Sequence, residues 1–282
     1  MELEILGSWA GSPGPRSACS GYLLSEGSTE VLFDCGPGLV PILQEGHDPS
    51  DVAAIFISHM HADHSLDLLA YAYRLIRFTW RRGEPSLARP IPLYLPPGGL
   101  SVLGHMTAAY GRPGNGRLSD PFHGAFAPSE LTPTRPILVG DLAVIPYQVR
   151  HSVSALGYRV EGPRSSFAYS GDTGLCPGLT ELAEGVDLLL CEATTRQEGG
   201  LTESAGHLTA RQAAQIASEA RAERLILTHL TRQDSEWLTG LMDDASEVYH
   251  GPVDVATTGL KVGVPEATYP PIRAGDRLAL EP

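Results

Sequence analysis

The sequence has few cysteines, and no Cys-x-x-Cys pair occurs among them. Its four cysteines are spread through 282 residues, which argues against a disulfide framework and against a zinc knuckle. The first residues carry acids rather than a basic stretch before a long apolar run, and no apolar run is long enough to span a bilayer. We therefore expect a cytoplasmic protein with reduced cysteines and without membrane contact.

Positive charge is also scarce. There are 20 Lys and Arg residues against 33 Asp and Glu, and the formal net charge is −13. A surface this acidic repels a long polyphosphate unless positive charge is concentrated at one place. Divalent cations in one pocket would supply such a place for a small anion. We therefore expect a small anionic substrate rather than a long nucleic acid; the sequence is compatible with a homodimer but does not specify one.

No linker tract divides the chain. The 23 prolines and 31 glycines are scattered between apolar runs, and 42% of the residues are hydrophobic, which is enough for one large core. We interpret residues 1–282 as a single domain, with residues 71–140 as a candidate insertion that caps a pocket. Arginines and aromatics at 74–82, with Tyr110, Phe122 and Phe126, would bind a base and a phosphate or, alternatively, form a solvated helix face with packing aromatics.

Apolar runs bounded by Gly, Pro or charged residues predict buried strands. These runs are residues 3–8, 21–24, 30–34, 53–58, 91–95, 142–147, 167–169, 186–191 and 225–227. Helical spacing predicts helices at 66–77 and 235–249, and a capping box at Thr209 predicts a third helix that continues to Ala222. Strands and helices interleave, which indicates the α/β class.

Four metal-binding side chains follow directly after the strand predicted at 53–58. They are His59, His61, Asp63 and His64. In an extended or loosely turned segment His59 and His61 project to one side, while Asp63 and His64 project elsewhere, so that one loop serves two neighbouring ions. A solvated polar loop is the alternative, but such dense clustering rarely arises without a ligand.

One loop cannot complete the coordination of two ions, so further donors are required. His151, Asp172 and His229 each follow a predicted strand. Any one of these alone would more often be an ordinary polar residue at a strand end. The repetition of the same pattern makes all three candidate ligands.

Several further stretches share a pattern with a known family. They are Asp-Cys-Gly-Pro-Gly at 34–38, Ser-Gly-Asp-Thr at 170–173, Cys-Glu-Ala-Thr at 191–194, Gly-His-Leu-Thr-Ala at 206–210 and Leu-Thr-His at 227–229. Together with the histidine run, they resemble the metallo-β-lactamase superfamily, and within it the phosphodiesterase group that includes ribonuclease Z. The resemblance implies an α/β fold, a four-layer αββα sandwich.

The resemblance also implies two ligand sets. By it, one zinc ion is bound by His59, His61 and His151, and the other by Asp63, His64 and His229. Asp172 would bridge the two ions. Zinc suits this mixture of imidazole and carboxylate, although Mn²⁺ or Fe²⁺ also suits a site with aspartates.

Three residues are candidates for catalysis. Two zinc ions would lower the pKa of a shared water and give a hydroxide at neutral pH. Asp63 would orient this nucleophile and accept the proton that the water loses, unless it is simply a ligand. We interpret His207 as the general acid, because it precedes a helix and the two ligand sets are already filled. Glu192 would orient His207. The alternatives are a helix cap for His207 and a solvated strand-end acid for Glu192.

The Glu–His pair, which the ribonuclease Z resemblance implies, favours phosphodiester chemistry. Asp34 is expected to accept a hydrogen bond from a ligand histidine, with a turn-forming role as the alternative. The other histidines, namely His47, His105, His123 and His250, are assigned to surface or loop roles.

The expected substrate is a small phosphodiester, either a cyclic nucleotide or an RNA end. Transfer-RNA-processing members carry a long arm between the third-motif histidine and the bridging aspartate, and residues 152–171 are too few for one. One alternative is hydrolysis of a lactone, ester or thioester on the same metals. Another is a binding protein that keeps the fold without catalysis.

Overall fold

Two β-sheets lie face to face in the computed structural model of the protein, which describes residues 1–81, 89–196 and 206–265. The strands of the first sheet are β1 (Glu2–Trp9), β2 (Ala18–Cys19), β3 (Gly21–Glu26), β4 (Thr29–Phe33), β5 (Ala54–Phe56), β6 (Ile91–Leu95), β7 (Phe126–Glu130) and β15 (Lys261–Gly263). Their order is β15-β1-β3-β4-β5-β6-β7, with β2 beside β1. Strands β4 to β7 are mutually parallel.

The second sheet uses the later part of the chain. Its strands are β8 (Ile137–Val139), β9 (Leu142–Val149), β10 (Ala155–Glu161), β11 (Ser166–Tyr169), β12 (Leu188–Glu192), β13 (Leu225–Thr228) and β14 (Val253–Val255). They are ordered β14-β13-β12-β11-β10-β9-β8. Strands β11 to β14 are mutually parallel, whereas β8 to β11 are antiparallel.

Helices cover the outer face of each sheet. They are α1 (Leu39–Gly46), α2 (Ala62–Ser65), α3 (Leu68–Arg81), α4 (Gly99–Tyr110), α5 (Pro121–Ala125), α6 (Pro177–Ala183), α7 (Ala210–Glu219) and α8 (Ser235–Ser246), with a 3₁₀ turn at Gly116–Ser119. Helices α1, α3, α4 and α5 pack on the first sheet, and α6, α7 and α8 pack on the second. Within the described residues, no helix has the length and apolar character needed to cross a membrane.

The space between the sheets is filled by aromatic and aliphatic side chains. Phe33 of the first sheet meets Tyr158 and Phe167 of the second, with ring centroids 5.5 and 5.9 Å apart. The inner core contains buried residues from both sheets, whereas each outer core contains buried residues from one sheet and from the helices that cover it. The layers run helix, sheet, sheet, helix, which confirms the αββα sandwich implied by the resemblance.

Local signals predicted several elements well. The capping box at the start of α7 is present, since the Thr209 hydroxyl accepts from Gln212 N–H and the Gln212 side chain accepts from Thr209 N–H. Helix α3 begins at Leu68, and α8 ends at Ser246 rather than at 249. Sequence reasoning missed α1, because Pro41 lies inside it. Proline is tolerated there because the N–H groups of a first helical turn have no partner in the helix.

The segment expected to cap a pocket supplies part of the sandwich. Strands β6 and β7 complete one side of the first sheet. Phe122 and Phe126 are buried in the core under α3, so they pack rather than hold a base, whereas Tyr110 is half exposed. The side chains of residues 78–88 lie outside the described part of the structure.

The sequence predicts a surface or loop role for His47. In the structure its ring bridges two strands of the first sheet. When the ring is protonated, His47 Nδ1 donates to a Glu30 carboxylate oxygen at 2.8 Å and Nε2 donates to one of Glu4 at 2.9 Å. Lys261 contacts the same Glu4 carboxylate at 2.9 Å. The contacts were not visible in the sequence, because the two glutamates come from β1 and β4, far from His47 along the chain.

This contact makes the stability of the fold depend on pH. Burial alone would lower the pKa of His47, but its hydrogen bonds to Glu4 and Glu30 raise it above the usual value. The stabilisation is therefore fully present below the unfolded-state pKa of about 6.5, and it is lost as pH rises through the higher folded-state pKa. We expect His47→Gln to lower the urea midpoint more at pH 6 than at pH 9.

The matched control is His105→Gln, since His105 is exposed on α4. It should change the urea midpoint by the same small amount at both pH values. A His47→Gln deficit that is equal at pH 6 and pH 9 would show that the ring contributes packing rather than charge.

Candidate metal centre

The polar residues at strand ends converge because of how the two sheets are built. The carboxyl ends of parallel strands meet at the same edge of a sheet. In the first sheet β4 and β5 are parallel, and Asp34 and the histidine run follow them. In the second sheet Asp172 follows β11, Glu192 ends β12 and His229 follows β13. The two edges face each other across the sandwich.

The histidine loop is extended as far as His61 and turned after it, within the range of conformations that the sequence predicted. Residues 62–65 form the helical turn α2, in which Leu66 N–H donates to the Ala62 carbonyl at 3.0 Å. This turn places Asp63 and His64 in one group of donor side chains, whereas His59 and His61, before the turn, lie in another.

Three imidazoles form the first group. His61 Nδ1 lies 3.0 Å from His59 Nε2 and 3.1 Å from His151 Nε2. The ligand atoms of all three lie within 4.8 Å of one another. His59 is fully buried, and His61 and His151 are half-buried. Three ring nitrogens that face a common point are the arrangement that a metal ion requires.

A second group comprises Asp63, His64 and His229. His229 Nε2 lies 3.2 Å from both Asp63 Oδ2 and His64 Nε2. Asp172 lies between the two groups, because its Oδ2 is 3.3 Å from the Nε2 atoms of His64 and His229 and 3.7 Å from that of His59. The structure thus brings together all seven residues that the sequence nominated as ligands.

The outward-facing ring nitrogens have oxygen partners that fix the tautomers. His64 Nδ1 donates to Asp34 Oδ2 at 2.7 Å, and His151 Nδ1 donates to the Gly206 carbonyl at 3.1 Å. Both of these oxygens are acceptors only, so each Nδ1 carries its proton and each Nε2 is the atom directed at the candidate metal centre. This is how proteins orient metal-binding histidines.

A buried carboxylate oxygen supplies an independent test of the metal. Among the side chains that the structure describes, Asp172 Oδ1 is one of two buried polar atoms without a hydrogen-bond partner. An unsatisfied buried carboxylate oxygen is costly, and a bound cation would satisfy it. Histidine nitrogens and carboxylate oxygens are ligands that zinc accepts, so the residues present fit the metal that the fold implies.

The charge states also suit metal binding. Burial lowers the pKa of His59 and of His61, so both rings are neutral at pH 7. Burial alone would raise the pKa of Asp63, but the hydrogen bond to His229 and the charge of His64 bring it below the usual range. Burial alone would lower the pKa of His64, but the carboxylates of Asp172 and Asp34 raise it well above the usual value, so this ring must release a proton when it binds a metal ion. Neutral imidazoles and ionised carboxylates are the forms that bind metal ions.

Glu192 and His207 form a hydrogen-bonded pair beside the two groups. His207 Nδ1 donates to Glu192 Oε1 at 3.0 Å, so this nitrogen has no lone pair for a metal although it lies among candidate ligands. Burial alone would lower the pKa of His207, but the hydrogen bond and the charge of Glu192 raise it to about 9. His207 is therefore cationic at neutral pH.

Thr194 joins this pair to the second ligand group, a role that sequence reasoning missed. Its hydroxyl donates to Glu192 Oε2 at 2.6 Å, which leaves a lone pair to accept from His229 Nδ1 at 2.9 Å. The remaining donors to Glu192 are the backbone N–H groups of Thr173 and Leu208, at 2.6 and 3.2 Å. Glu192 is buried and fully hydrogen-bonded rather than a solvated strand-end acid.

Two aspartates of the centre, Asp34 and Asp63, also accept hydrogen bonds from groups elsewhere in the chain. Asp34 accepts from the Tyr169 hydroxyl at 2.6 Å, from Ser58 N–H at 2.6 Å and from the Ser58 hydroxyl at 2.8 Å, in addition to its bond from His64. Asp34 is thus held by both sheets. Gly11 N–H, in the loop after β1, donates to Asp63 Oδ2 at 2.7 Å. The hydrogen bond from a histidine to Asp34 was expected from the sequence, whereas the contacts of Tyr169 and Gly11 were not.

Comparison with known proteins agrees with this geometry. The family described as "Beta-lactamase superfamily domain" matches residues 29–230. An uncharacterized protein of Mycobacterium tuberculosis is 35% identical over 258 residues, 90% of this chain and 88% of that protein. The ribonuclease Z of Nocardia farcinica is 29% identical over 315 residues, 94% of this chain and 98% of that enzyme.

A solved structure supports the fold. The metallo-β-lactamase fold protein YhfI of Bacillus subtilis superposes with a TM-score of 0.79 at 23% identity, covering 93% of this chain and 98% of that one. The family match spans both ligand groups, from β4 to the residue after His229. The chain is therefore a metallo-hydrolase of the β-lactamase superfamily, related to ribonuclease Z.

Proposed function

We propose that the protein is a phosphodiesterase that acts on a small phosphodiester, a cyclic nucleotide or an RNA end, with two zinc ions. The observation that carries this proposal is the Glu192–His207 pair beside the two ligand groups. Cleavage of a phosphodiester releases an alkoxide, which needs a proton, and a cationic imidazole supplies one. A ribonuclease among the relatives is consistent with this chemistry.

We propose the two ligand sets that the family resemblance implies. His59, His61 and His151 would hold one ion, Asp63, His64 and His229 the other, and Asp172 would contact both. Bound there, the two ions would polarise the attacking water and the phosphoryl oxygens of the substrate.

The protein's own residues would position the reactants and move the protons. Asp63, held by Gly11 N–H and His229, would orient the attacking water and accept its proton. Since Nδ1 of His207 is engaged by Glu192, the proton for the leaving oxygen would come from Nε2. The Thr194 hydroxyl, which lies at hydrogen-bond distance from both His207 and His229, would hold the pair in a fixed position relative to His229.

The size of the substrate is inferred from what lies beside the centre. Between His151 and Asp172 the chain forms β10, a short turn and β11, with no protruding arm. The net charge of −13 disfavours a long polyanion. A small diester needs neither an arm nor an extended basic surface.

An assay of the metal-loaded protein tests the proposal. We expect turnover of bis(p-nitrophenyl) phosphate, and then of a cyclic nucleotide or a short RNA, with no comparable turnover in a panel of lactones and thioesters. Metal content is measured on the same preparation. Absence of diester turnover in metal-replete protein would refute the phosphodiesterase proposal, and lactone turnover in its place would establish the alternative.

A further inference from the structure

Ser58 lies between strand β5 and the first candidate ligand. It immediately precedes His59, and both residues are fully buried. The backbone of Ser58 is held from both sheets. Its N–H donates to Asp34 Oδ1 at 2.6 Å, and Leu156 N–H, in β10 of the second sheet, donates to its carbonyl at 2.8 Å. The position of Ser58 is therefore fixed by hydrogen bonds on both sides.

The second sheet also packs closely on the Ser58 side chain. Gly171, which precedes Asp172, has a left-handed φ of 59°, and a Cβ built on it would be 3.1 Å from Ser58 Cβ. Because glycine lacks a Cβ, the backbone of the second sheet can approach Ser58 at this point. The Ser58 side chain thus lies where the two sheets meet, next to the loop that carries Asp172.

The Ser58 hydroxyl lies between a carboxylate and an imidazole. Its Oγ is 2.8 Å from Asp34 Oδ2 and 3.1 Å from His59 Nδ1. A hydroxyl has one proton and a carboxylate oxygen only accepts, so Ser58 donates to Asp34 and accepts from His59 Nδ1. The same Oγ is 3.5 Å from His64 Nδ1, but that nitrogen donates to Asp34 Oδ2 at the much shorter distance of 2.7 Å.

This hydrogen bond sets the tautomer of His59. With the proton on Nδ1, Nε2 is the nitrogen that can bind a metal ion. Nε2 faces the candidate centre, since it lies 3.0 Å from His61 Nδ1 and 3.7 Å from Asp172 Oδ2. Within the described part of the chain, Ser58 Oγ is the hydrogen-bond partner of His59 Nδ1. Loss of the hydroxyl would therefore leave this buried nitrogen unpaired.

The second ligand group is supported by a similar arrangement. There the Thr194 hydroxyl donates to Glu192 Oε2 and accepts from His229 Nδ1. Each group thus contains a histidine that is linked to a buried carboxylate through one hydroxyl. Asp34 differs from Glu192 in that it also accepts directly from a ligand histidine, His64.

We propose that Ser58 is a positioning residue that links Asp34 to His59, so that one carboxylate orients a histidine in each ligand group. Asp34 acts on the second group directly through His64 and on the first group through Ser58. The inference rests on the two ligand sets of the proposed function and not on the reaction. Loss of the Ser58 hydroxyl should weaken metal binding at the first group alone, because His64 keeps its own hydrogen bond to Asp34.

Zinc titration of the metal-free protein tests the proposal in two backgrounds. Asp63→Ala disables the second group, so that the first can be measured, and His61→Ala does the reverse. In the Asp63→Ala background we expect Ser58→Ala to lower the affinity for Zn²⁺ by about 10- to 100-fold, the usual effect of losing a group that orients a ligand. In the His61→Ala background the affinity should change by less than about threefold, as for an independent site.

Ser8→Ala is the matched control. Ser8 is also fully buried in the first sheet, and its hydroxyl contacts the Ala256 carbonyl at 2.8 Å and the Gln233 amide at 3.0 Å, neither of which belongs to a candidate ligand. It should change the affinity by less than about threefold in either background. Circular dichroism checks that each variant is folded. Equal losses in Ser58→Ala and Ser8→Ala, or equal losses in the two backgrounds, would indicate general loosening and overturn the proposal.

The tautomer of His59 gives a readout that does not depend on affinity. Long-range ¹H–¹⁵N NMR spectra of the metal-free protein distinguish a protonated ring nitrogen from an unprotonated one, and His59→Gln identifies the signals of His59. We expect the proton on Nδ1 in the unmodified protein, and a larger share of the Nε2–H form in Ser58→Ala. A proton on Nε2 in the unmodified protein would show that Ser58 donates to His59, which would overturn the proposal.

These measurements need no turnover, so this inference and the phosphodiesterase proposal can fail separately. Absence of diester hydrolysis together with the expected effect of Ser58→Ala on zinc affinity would refute the reaction and support the role of Ser58. Diester hydrolysis with a first-group affinity that Ser58→Ala leaves unchanged would refute the role of Ser58 alone. Failure to bind zinc in both backgrounds would refute the ligand sets and this inference together.

Discussion

Asp172→Asn is expected to remove metal and activity together. Asp172 Oδ2 lies within 3.7 Å of a nitrogen of His59, His64 and His229, and its Oδ1 is buried without a partner. Asparagine keeps the shape but loses the negative charge that offsets two divalent cations. Metal catalysis supplies several kcal/mol, so we expect kcat/KM for a diester to fall by about 10³-fold or more. Elemental analysis should show fewer than two ions per chain.

Asp187→Asn is the control for the loss of a buried aspartate. Asp187 is also buried in the second sheet, where it accepts from Ser166 N–H at 2.6 Å and from the Ser166 hydroxyl at 2.7 Å. This variant should lose stability but keep its metal. Circular dichroism checks that both variants are folded. Full metal content in folded Asp172→Asn would contradict the bridging role.

His207→Gln is expected to slow the reaction in proportion to the need of the leaving group for a proton. A nucleoside alkoxide needs protonation, so we expect kcat to fall by about 10²–10⁴-fold, the usual contribution of a general acid. A p-nitrophenolate leaves without a proton, and its release should slow by less than about tenfold. The measurement compares kcat for a dinucleotide and for bis(p-nitrophenyl) phosphate in the same preparations.

Metal content distinguishes an acid from a ligand. His207→Gln should retain the metal of the unmodified protein, because Nδ1 of His207 is bonded to Glu192 Oε1. His123→Gln, an exposed histidine on α5, should change neither rate. Equal losses on both esters would indicate a binding or structural role for His207, and a loss of metal would make it a ligand.

Sequence periodicity located the strand ends, and with them the donors. Apolar runs predict where a strand stops because burial ends there, so Asp172 and His229 could be placed after β11 and β13 from local sequence. The predicted strand at 91–95 matches β6. Which strands pair depends on contacts far apart along the chain, and no local pattern encodes these. The grouping of the seven donors into two sets came from the family resemblance.

The residues that hold the donors in place could not be found in the same way. Tyr169 reaches Asp34 across 135 positions, and Gly11 reaches Asp63 across 52. Each hydrogen bond requires the two sheets, or a loop and a helix, to be docked first. Thr194 is a different case, because it lies beside Glu192 in a stretch that had been recognised, but only the structure shows that its hydroxyl also accepts from His229.

The placement of His229 has a consequence for biosynthesis. Its ring meets Asp63 across 166 positions, so the ribosome has made most of the chain before the second ligand group exists. The histidine loop emerges early and has no complete coordination shell to offer until the later half-sandwich docks on it. A cation could therefore bind at the second group only after His229 has been made and the later half-sandwich has docked, and nascent chains that end before His229 should bind no cation at this group.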